Sequence, residues 1–562
     1  MSAAPPIVLE RHTERLADDT FDVVVVGAGI TGAWTALDCA RRGLRVALVD
    51  KGDFGGATSS KSSKLLHGGI RHLQQLQFSK VRESAMEQAR YVLAAPHLCR
   101  PLPFLVPTFR SARQGRTILR AGLLTYRILS AAAARLLHEA GVDVRSPSVW
   151  SKEAVSRRLA LESRDLTGGV VLHEMHMTSS ERMTLAVVAS AHAAGAEVAN
   201  YVRVERFLRA DDGSVRGVRV LDLERGERFD IRAGVTVNAA GPWIPDLNGK
   251  VPNQVRPRVS GFAQGSHLVT GTLIGGELAV ALPTALQRES FVDRGGRHVF
   301  IIPWRGHSLI GTSYAQPEDI DDPRITSAEV NQLLGAVTAA LPGLHLSRGD
   351  VVHAFSGIYP LRSARVAPGV YQGAAAYQVY DHRRQGCAGL VSALGTKYTT
   401  ARVVAEKAVD IVGQQLDRAI GETKTRNGRL ACARYESLAE LRGESRRRCA
   451  ELLEVETIDR LVATYGSDLS AVMGRARGSD ESRQQLMPER SNLVAEVEHA
   501  VVEEMAVRLE DVVFRRTGIG TIGVPSRQSL ERCCRVMGRL LGWGPDRCRE
   551  EVAAVESRRV GA

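Results

Sequence analysis

Near the start of the chain, Gly27-Ala28-Gly29-Ile30-Thr31-Gly32 has the spacing of a turn that cradles a pyrophosphate. The first glycine permits a tight turn, the second lets backbone approach the phosphates, and the third lets a helix pack close on its strand. The phosphates then meet the positive end of a helix starting near Thr31. Asp50, 18 residues after Gly32, stands where a carboxylate can accept from ribose hydroxyls. A second stretch, Ala57-Thr58-Ser59-Ser60-Lys61-Ser62-Ser63-Lys64-Leu65-Leu66-His67-Gly68-Gly69-Ile70-Arg71, offers hydroxyls, amides and a lysine to phosphate and to an aromatic cofactor ring.

These residues need elements to position them. Asp22-Val23-Val24-Val25-Val26 is an unbroken apolar run, as a strand buried on both faces of a parallel sheet requires. A helical stretch, Ala33 to Arg42, ends at Gly43, and Arg45 to Asp50 reads as a second buried strand, which completes a β-α-β unit. The unit lies at the extreme N-terminus and runs into the serine-rich loop rather than another β-α repeat, which favours FAD over NAD. Farther on, a helix is predicted over Ser180 to Ala194 and an apolar strand, Val235 to Ala240, runs into Gly241. Short β runs follow, including His298 to Ile302 and Ser308 to Gly311. Leu390 to Leu394 then leads into Gly395 and a helix from Thr400 to Gln415, a return to the first domain. Beyond about Gly421 polar helical segments dominate, for example Ser437 to Val455 and Leu493 to Val507.

The expected class is α/β: a Rossmann-like FAD-binding domain with a β-rich substrate domain and a mostly helical C-terminal domain. The expected division is an extension over 1–20, an oxidoreductase region over 21–420 and a helical domain over 421–562. Within 21–420 the FAD-binding parts are about 21–110, 168–260 and 350–420, and the β-rich part about 261–349.

With 562 residues, 44% hydrophobic and 24% charged, the chain can build two or three ordinary cores. No stretch approaches the roughly 18 uninterrupted apolar residues of a spanning helix, and Met1 to Thr20 carries acids and no apolar h-region, so no secretory signal is expected. The expected location is cytoplasmic, with the inner face of the membrane as an alternative. The net charge of +12 fits solvated basic faces, an anionic lipid surface or a phosphorylated substrate. No nucleic-acid module is present in the sequence. The eight cysteines show neither CxxC nor metal-like spacing and are expected as reduced, structural thiols, and no metal is expected.

The serine-rich loop resembles the TSS-x-SSK-L-x-HGG-x-RY signature of the flavin-dependent glycerol-3-phosphate dehydrogenases and glycerophosphate oxidases. Further similar segments follow in order: Ala95-Pro96-His97-Leu98, Pro101-Leu102-Pro103-Phe104, Asn238-Ala239-Ala240-Gly241-Pro242-Trp243, Gly265-Ser266-His267, Ile302-Pro303-Trp304, Ile310-Gly311-Thr312, Phe355-Ser356-Gly357-Ile358 and Gly395-Thr396-Lys397-Tyr398-Thr399-Thr400. Leu509-Glu510-Asp511 to Arg515-Arg516-Thr517 resembles the family's helical C-terminal domain. The resemblance implies FAD contacts at Gly27, Gly29, Gly32, Asp50, Thr58, Ser59, Ser62, Ser63, Lys64, His67, Gly241, Gly395, Lys397, Thr399 and Thr400. It implies a catalytic face of His267, Arg71 and Lys397, and hydride transfer from a secondary carbinol to flavin. In that reading His267 is the base, because imidazole titrates near neutrality, while Arg71 and Lys397 hold developing negative charge. The implied substrate is sn-glycerol 3-phosphate. Quinone and oxygen both stay open as electron acceptor, and a peripheral membrane contact and a homodimer stay open as associations.

The match breaks on the substrate side. The family's Arg-Tyr after the glycine pair is Arg71-His72, its SG-[IV]-RPL arginine is Tyr359, the lysine before Gly-Ser-His is Gln264, and an aspartate is replaced by Tyr314. Where the family carries a further arginine, the chain reads Ala374-Ala375-Ala376-Tyr377. Tyrosine offers a phosphate one hydrogen bond and no charge. Arg71, His72, Tyr359, Arg362 and Arg365 are therefore the substrate-side candidates. The alternative is a divergent member acting on another, unphosphorylated hydroxy or amino compound.

Overall fold

The computed structural model describes residues 6–110, 116–159, 161, 165–251, 259–283, 298–361 and 376–559. It divides into two compact units: Met1–Ser60, Ser179–Val259 and Ala376–Ala562 form one, and Lys61–Thr178 with Ser260–Ala375 the other.

The first unit is built on a twisted sheet in the order Gln378–Asp381, Leu390–Leu394, Arg228–Asn238, Thr20–Val26, Val46–Val49, Glu197–Ala199. The valines of the first strand leave no polar face, and Val23, Val24 and Val25 are fully buried. Parallel pairing sets Val26 level with both Asn238 and Val49, and Asn238 level with Ser392. Helices Ile30–Arg41, Ser180–Ala193 and Ala401–Gln415 pack on this sheet and on one another. A meander, Val202–Arg209 and Val215–Asp222, extends the strand Arg228–Asn238.

Residues 376–562 belong to this same unit, so the terminal helices and the dinucleotide sheet are one compact body. The helices form two clusters of their own, one around Leu461, Val472 and Leu493, the other around Val497, Leu509, Leu530 and Met537. The helical segment expected over Ser437 to Val455 ends earlier, as Leu438–Cys449, and Val455 opens a second helix, Val455–Tyr465. The break lets Leu452 and Leu453 turn inward against the first cluster. A small hairpin, Gln485–Met487 with Arg490–Leu493, precedes helix Val494–Val502.

The second unit centres on a nine-stranded sheet whose long members are Val351–Leu361, Gly261–Thr270, His298–Trp304, Cys99–Phe109 and Leu166–Met177. It takes in 61–178 as well as the β-rich stretch, a wider span than 261–349, because Cys99–Phe109 and Leu166–Met177 pair along eleven positions and join it through Ala279–Pro283. Helix Ser327–Ala340 covers one face, burying Leu333 and Val337 against Leu268, Ile301 and Ile310. All eight cysteines are free thiols.

Candidate active site

In the first unit, three parallel neighbours all end in glycine at the same edge. Thr20–Val26 runs into Gly27, Arg228–Asn238 reaches Gly241 through two alanines, and Leu390–Leu394 runs into Gly395. The carboxyl ends of such strands, where the connections diverge to either side, are where open α/β sheets bind ligands.

Each glycine there has a local reason. Gly27 has φ +98°, and a Cβ on it would lie 2.8 Å from Ala239 O. A Cβ on Gly32 would stand 1.8 Å from Gly27 O, so only glycine lets the helix approach the turn. Gly241, at φ +55°, would present a Cβ to open space, leaving its backbone approachable. Gly29 caps helix Ile30–Arg41, whose first amide, Ile30 N, donates to Ser59 Oγ at 2.9 Å.

Asp50 accepts from Ala28 N (2.6 Å) and Gly52 N (2.8 Å) and so ties the second strand's end to the glycine turn. Desolvation pushes its carboxyl up to about 6, with the two amides opposing. Thr58 and Ser59 lie in a 3₁₀ turn. Lys397 precedes another, Tyr398–Thr400, in which Thr399 and Thr400 are buried. Tyr398 Oη anchors that turn by donating to Ser180 O (2.8 Å).

The boundary between the units falls at Ser60/Lys61, so the remaining candidates belong to the second. Lys64 is fully buried with φ +60°. Its amide donates to Ser62 Oγ and its ammonium lies 5.4 Å from the Trp304 ring centroid and 5.5 Å from that of Phe355. Ser63 is half-buried beside it. His67 sits 3.7 Å from Glu174, and Glu174 also accepts from Gly68 N (2.7 Å) and from Gln88 Nε2 (2.9 Å). That buried carboxylate fixes the His-Gly-Gly segment. His72 is buried in the helical turn Ile70–Gln75. Arg71 falls in the same turn, but its side chain lies outside the described residues, as do Arg362, Arg365, Ala374 and Ala375.

His267 lies on strand Gly261–Thr270, directly opposite Phe355 of the neighbouring strand, and the rings stack at 5.2 Å with 24° between planes. Its Nδ1 is buried and, among the described residues, has no hydrogen-bond partner. The expectation of an imidazole titrating near neutrality is not met: burial, then the charge of Lys64, pull His267 down to about 3. The ring is neutral in this environment. On the other face of the strand, Ser266 Oγ donates to the buried Glu329 (2.8 Å), which also accepts from Ser313 Oγ (2.7 Å) and Gln264 Nε2 (3.1 Å). Tyr359 is half-buried and meets Tyr314 edge to face at 5.6 Å.

The FAD dependent oxidoreductase profile matches residues 22–410, and the profile of the C-terminal domain of alpha-glycerophosphate oxidase matches 423–548. The chain belongs to the FAD-dependent oxidoreductase family. A glycerol-3-phosphate dehydrogenase from Synechocystis sp. is 30% identical, over 96% of this chain and 97% of that protein. One from Mycobacterium leprae is 32% identical, over 97% and 89%. The structure of the glycerol-3-phosphate dehydrogenase from Bacillus halodurans complexed with FAD is 26% identical and superposes with a TM-score of 0.76, covering 98% of this chain and 97% of that one.

FAD is accordingly the cofactor of this oxidoreductase, and the residues fit it. The glycine turn leaves no room for side chains between it and helix Ile30–Arg41, Asp50 ties the end of the second strand to that turn, and Gly241 opens onto free space. Sequence reasoning missed Glu174 and Glu329. Glu329 did leave a signal, because Thr326-Ser327-Ala328-Glu329 is a capping box, and the structure forms one.

Proposed function

We propose that this oxidoreductase converts sn-glycerol 3-phosphate to dihydroxyacetone phosphate and delivers the electrons to a membrane quinone. The observation that carries the reading is that similarity to glycerol-3-phosphate dehydrogenases extends over nearly the whole chain, terminal helices included. FAD, when bound, supplies the acceptor for the carbinol hydride. His267 takes the hydroxyl proton on its unpartnered nitrogen. A neutral ring suits that task, and an arriving phosphate dianion raises its proton affinity by offsetting the nearby Lys64 charge. Arg71 and Lys397 hold the negative charge that develops as the hydride leaves. In this reading Gly27, Gly29, Gly32, Asp50, Thr58, Ser59, Ser62, Ser63, Lys64, His67, Gly241, Gly395, Thr399 and Thr400 are the residues that hold the cofactor.

Membrane delivery draws support from one surface. Helix Arg116–Leu129 carries Arg116, Arg120 and Arg127 and no acidic residue. It exposes Leu124 and Ile128, at 57% and 69%, and packs against the turn and helix that expose Leu76 and Phe78. Apolar side chains among cations are the pattern of a helix lying on anionic lipid. No helix among the described residues is long and apolar enough to cross a membrane.

A second reading rests on Tyr359 and Tyr314, an aromatic pair where the family pattern has an arginine and an aspartate. It makes the enzyme a divergent member acting on an unphosphorylated hydroxy or amino compound. Anaerobic mixing of the holoenzyme with sn-glycerol 3-phosphate separates the two. Flavin bleaching at millimolar substrate or below supports the first. Absence of bleaching, with dithionite still reducing the flavin, overturns it and directs attention to polyols and amino alcohols.

A further inference from the structure

The loop Lys51–Gly56 joins Asp50 to the Ser/Thr turn and is fastened from two sides. On the cofactor side, Gly52 N donates to Asp50 Oδ1 (2.8 Å) and Gly55 N donates to Ala28 O (3.0 Å), which closes the loop against the glycine turn. On the other side, Asp53 is buried and its carboxylate is gripped by two arginines. Arg516 donates from Nη1 to Oδ2 (2.5 Å) and from Nη2 to Oδ1 (2.8 Å), and Arg515 donates from Nε to Oδ2 (2.5 Å). Asn200 Nδ2 adds a bond of 3.1 Å.

Both arginines come from the π-helical turn Asp511–Arg516 of the terminal helices, more than 460 residues from Asp53 in sequence (a separation of 462 for Arg515). The turn is itself held. Arg516 donates to Glu504 O, and Asp511 accepts from Tyr201 Oη at 2.6 Å. Tyr201 in turn donates its amide to Gly52 O (3.1 Å). Tyr201 and Met505, whose carbonyl accepts from Asn200, both adopt left-handed backbone, at φ +55° and +54°. Non-glycine residues keep that conformation only where their surroundings over-determine it.

Ionic groups this deeply buried add little net stability compared with apolar residues of similar size; what they can fix is one geometry. The geometry fixed here is that of the loop beside the ribose carboxylate. We propose that Arg515 and Arg516 are positioning residues for the cofactor: through Asp53 they hold the Lys51–Gly56 loop in the shape that receives the adenosine end of FAD. The terminal helices thereby complete the dinucleotide site without touching the reacting atoms. This rests on FAD being the cofactor and is independent of which alcohol is oxidised.

The test uses the full chain. For Arg516→Gln, the rate of FAD release, read as recovery of free-flavin fluorescence after dilution, is expected to rise at least tenfold. Arg516→Lys, which keeps the charge, is expected to recover a large part of that loss. In the wild-type chain, adding FAD to apoprotein is expected to slow amide hydrogen exchange in both Lys51–Gly56 and Glu504–Arg516. A folded Arg516→Gln protein that releases FAD within twofold of the wild-type rate overturns the proposal. So does unchanged exchange at Glu504–Arg516, a measurement that decides even if the glutamine variant fails to fold.

Discussion

The imidazole of His267 occupies the space that a side chain at Gly311 would need: a Cβ built there would lie 2.2 Å from His267 Cδ2 and 2.8 Å from Nε2. The two residues face each other across adjacent antiparallel strands, with Phe355 flanking the ring on the other strand. The ring is thus set by the absence of a neighbour as well as by stacking. Gly311→Ala should displace it. A misplacement near 1 Å costs on the order of 10²-fold in rate, and overpacking costs about 1–3 kcal/mol of stability. The expected outcome is a kcat loss of that order with flavin content unchanged. A kcat within threefold of wild type in the alanine variant would rule out this placement of the ring as a requirement.

Neutral, buried histidines set the pH behaviour. His176, His267 and His353 are all pulled to about 3, by burial first and then by nearby lysine or arginine charge. The unfolded chain takes up protons on these rings below about 6.5, whereas the folded chain does not. Their stabilising contribution is therefore complete above about 6.5 and is lost as pH falls toward 3. His499 has the opposite sign. Burial alone would depress it, but Glu504 and Glu503 outweigh burial and raise it to about 9. Its contribution is complete below about 6.5 and is lost as pH rises through 9. Thermal midpoints measured from pH 4 to 10 should be highest near pH 6.5 and fall on both sides, toward acid through the three depressed histidines and toward base through His499. His267→Gln should make the acid limb shallower; an unchanged acid limb would mean that His267 ionises normally.

Gly32→Ala tests the cradle. With a Cβ at 1.8 Å from Gly27 O, the helix must move away from the glycine turn. The purified variant should carry under a tenth of the wild-type flavin, read from the ratio of visible to ultraviolet absorbance. Full flavin occupancy would mean that the turn is not the phosphate site.

Local pattern explains why some of this was legible beforehand. The valine run, the glycine turn and the helix over Ser180–Ala193 are each set by residues within one element, and periodicity and turn chemistry reveal them. Glu329 was half-legible: its capping box shows in four residues, but the approach of Ser266 and Ser313 depends on sheet register. Asp53 left no signal, because its meaning depends on Arg515 and Arg516 at the far end of the chain. His267 was singled out by its motif, but its protonation was misjudged, since desolvation is a property of the packed strands around it.

The exposed helix Arg116–Leu129 yields the prediction about the acceptor. Leu124 and Ile128 are four residues apart and point to one side of the helix, so both can enter a lipid surface together. On the opposite side the helix reaches the His67-Gly68-Gly69 segment: a Cβ on Gly68 would stand 2.2 Å from Tyr126 Oη. Wild-type protein should float with vesicles containing anionic lipid and stay behind with neutral ones, and raised salt should weaken the association because exposed charges are screened. The Leu124→Glu/Ile128→Glu double variant should remain with the unbound fraction. It should keep its turnover with a soluble artificial acceptor and lose most of its turnover with quinone embedded in vesicles. If the double variant reduces embedded quinone as fast as wild type, this helix is not the docking surface; if wild type itself prefers oxygen to quinone, delivery to the membrane is not its task.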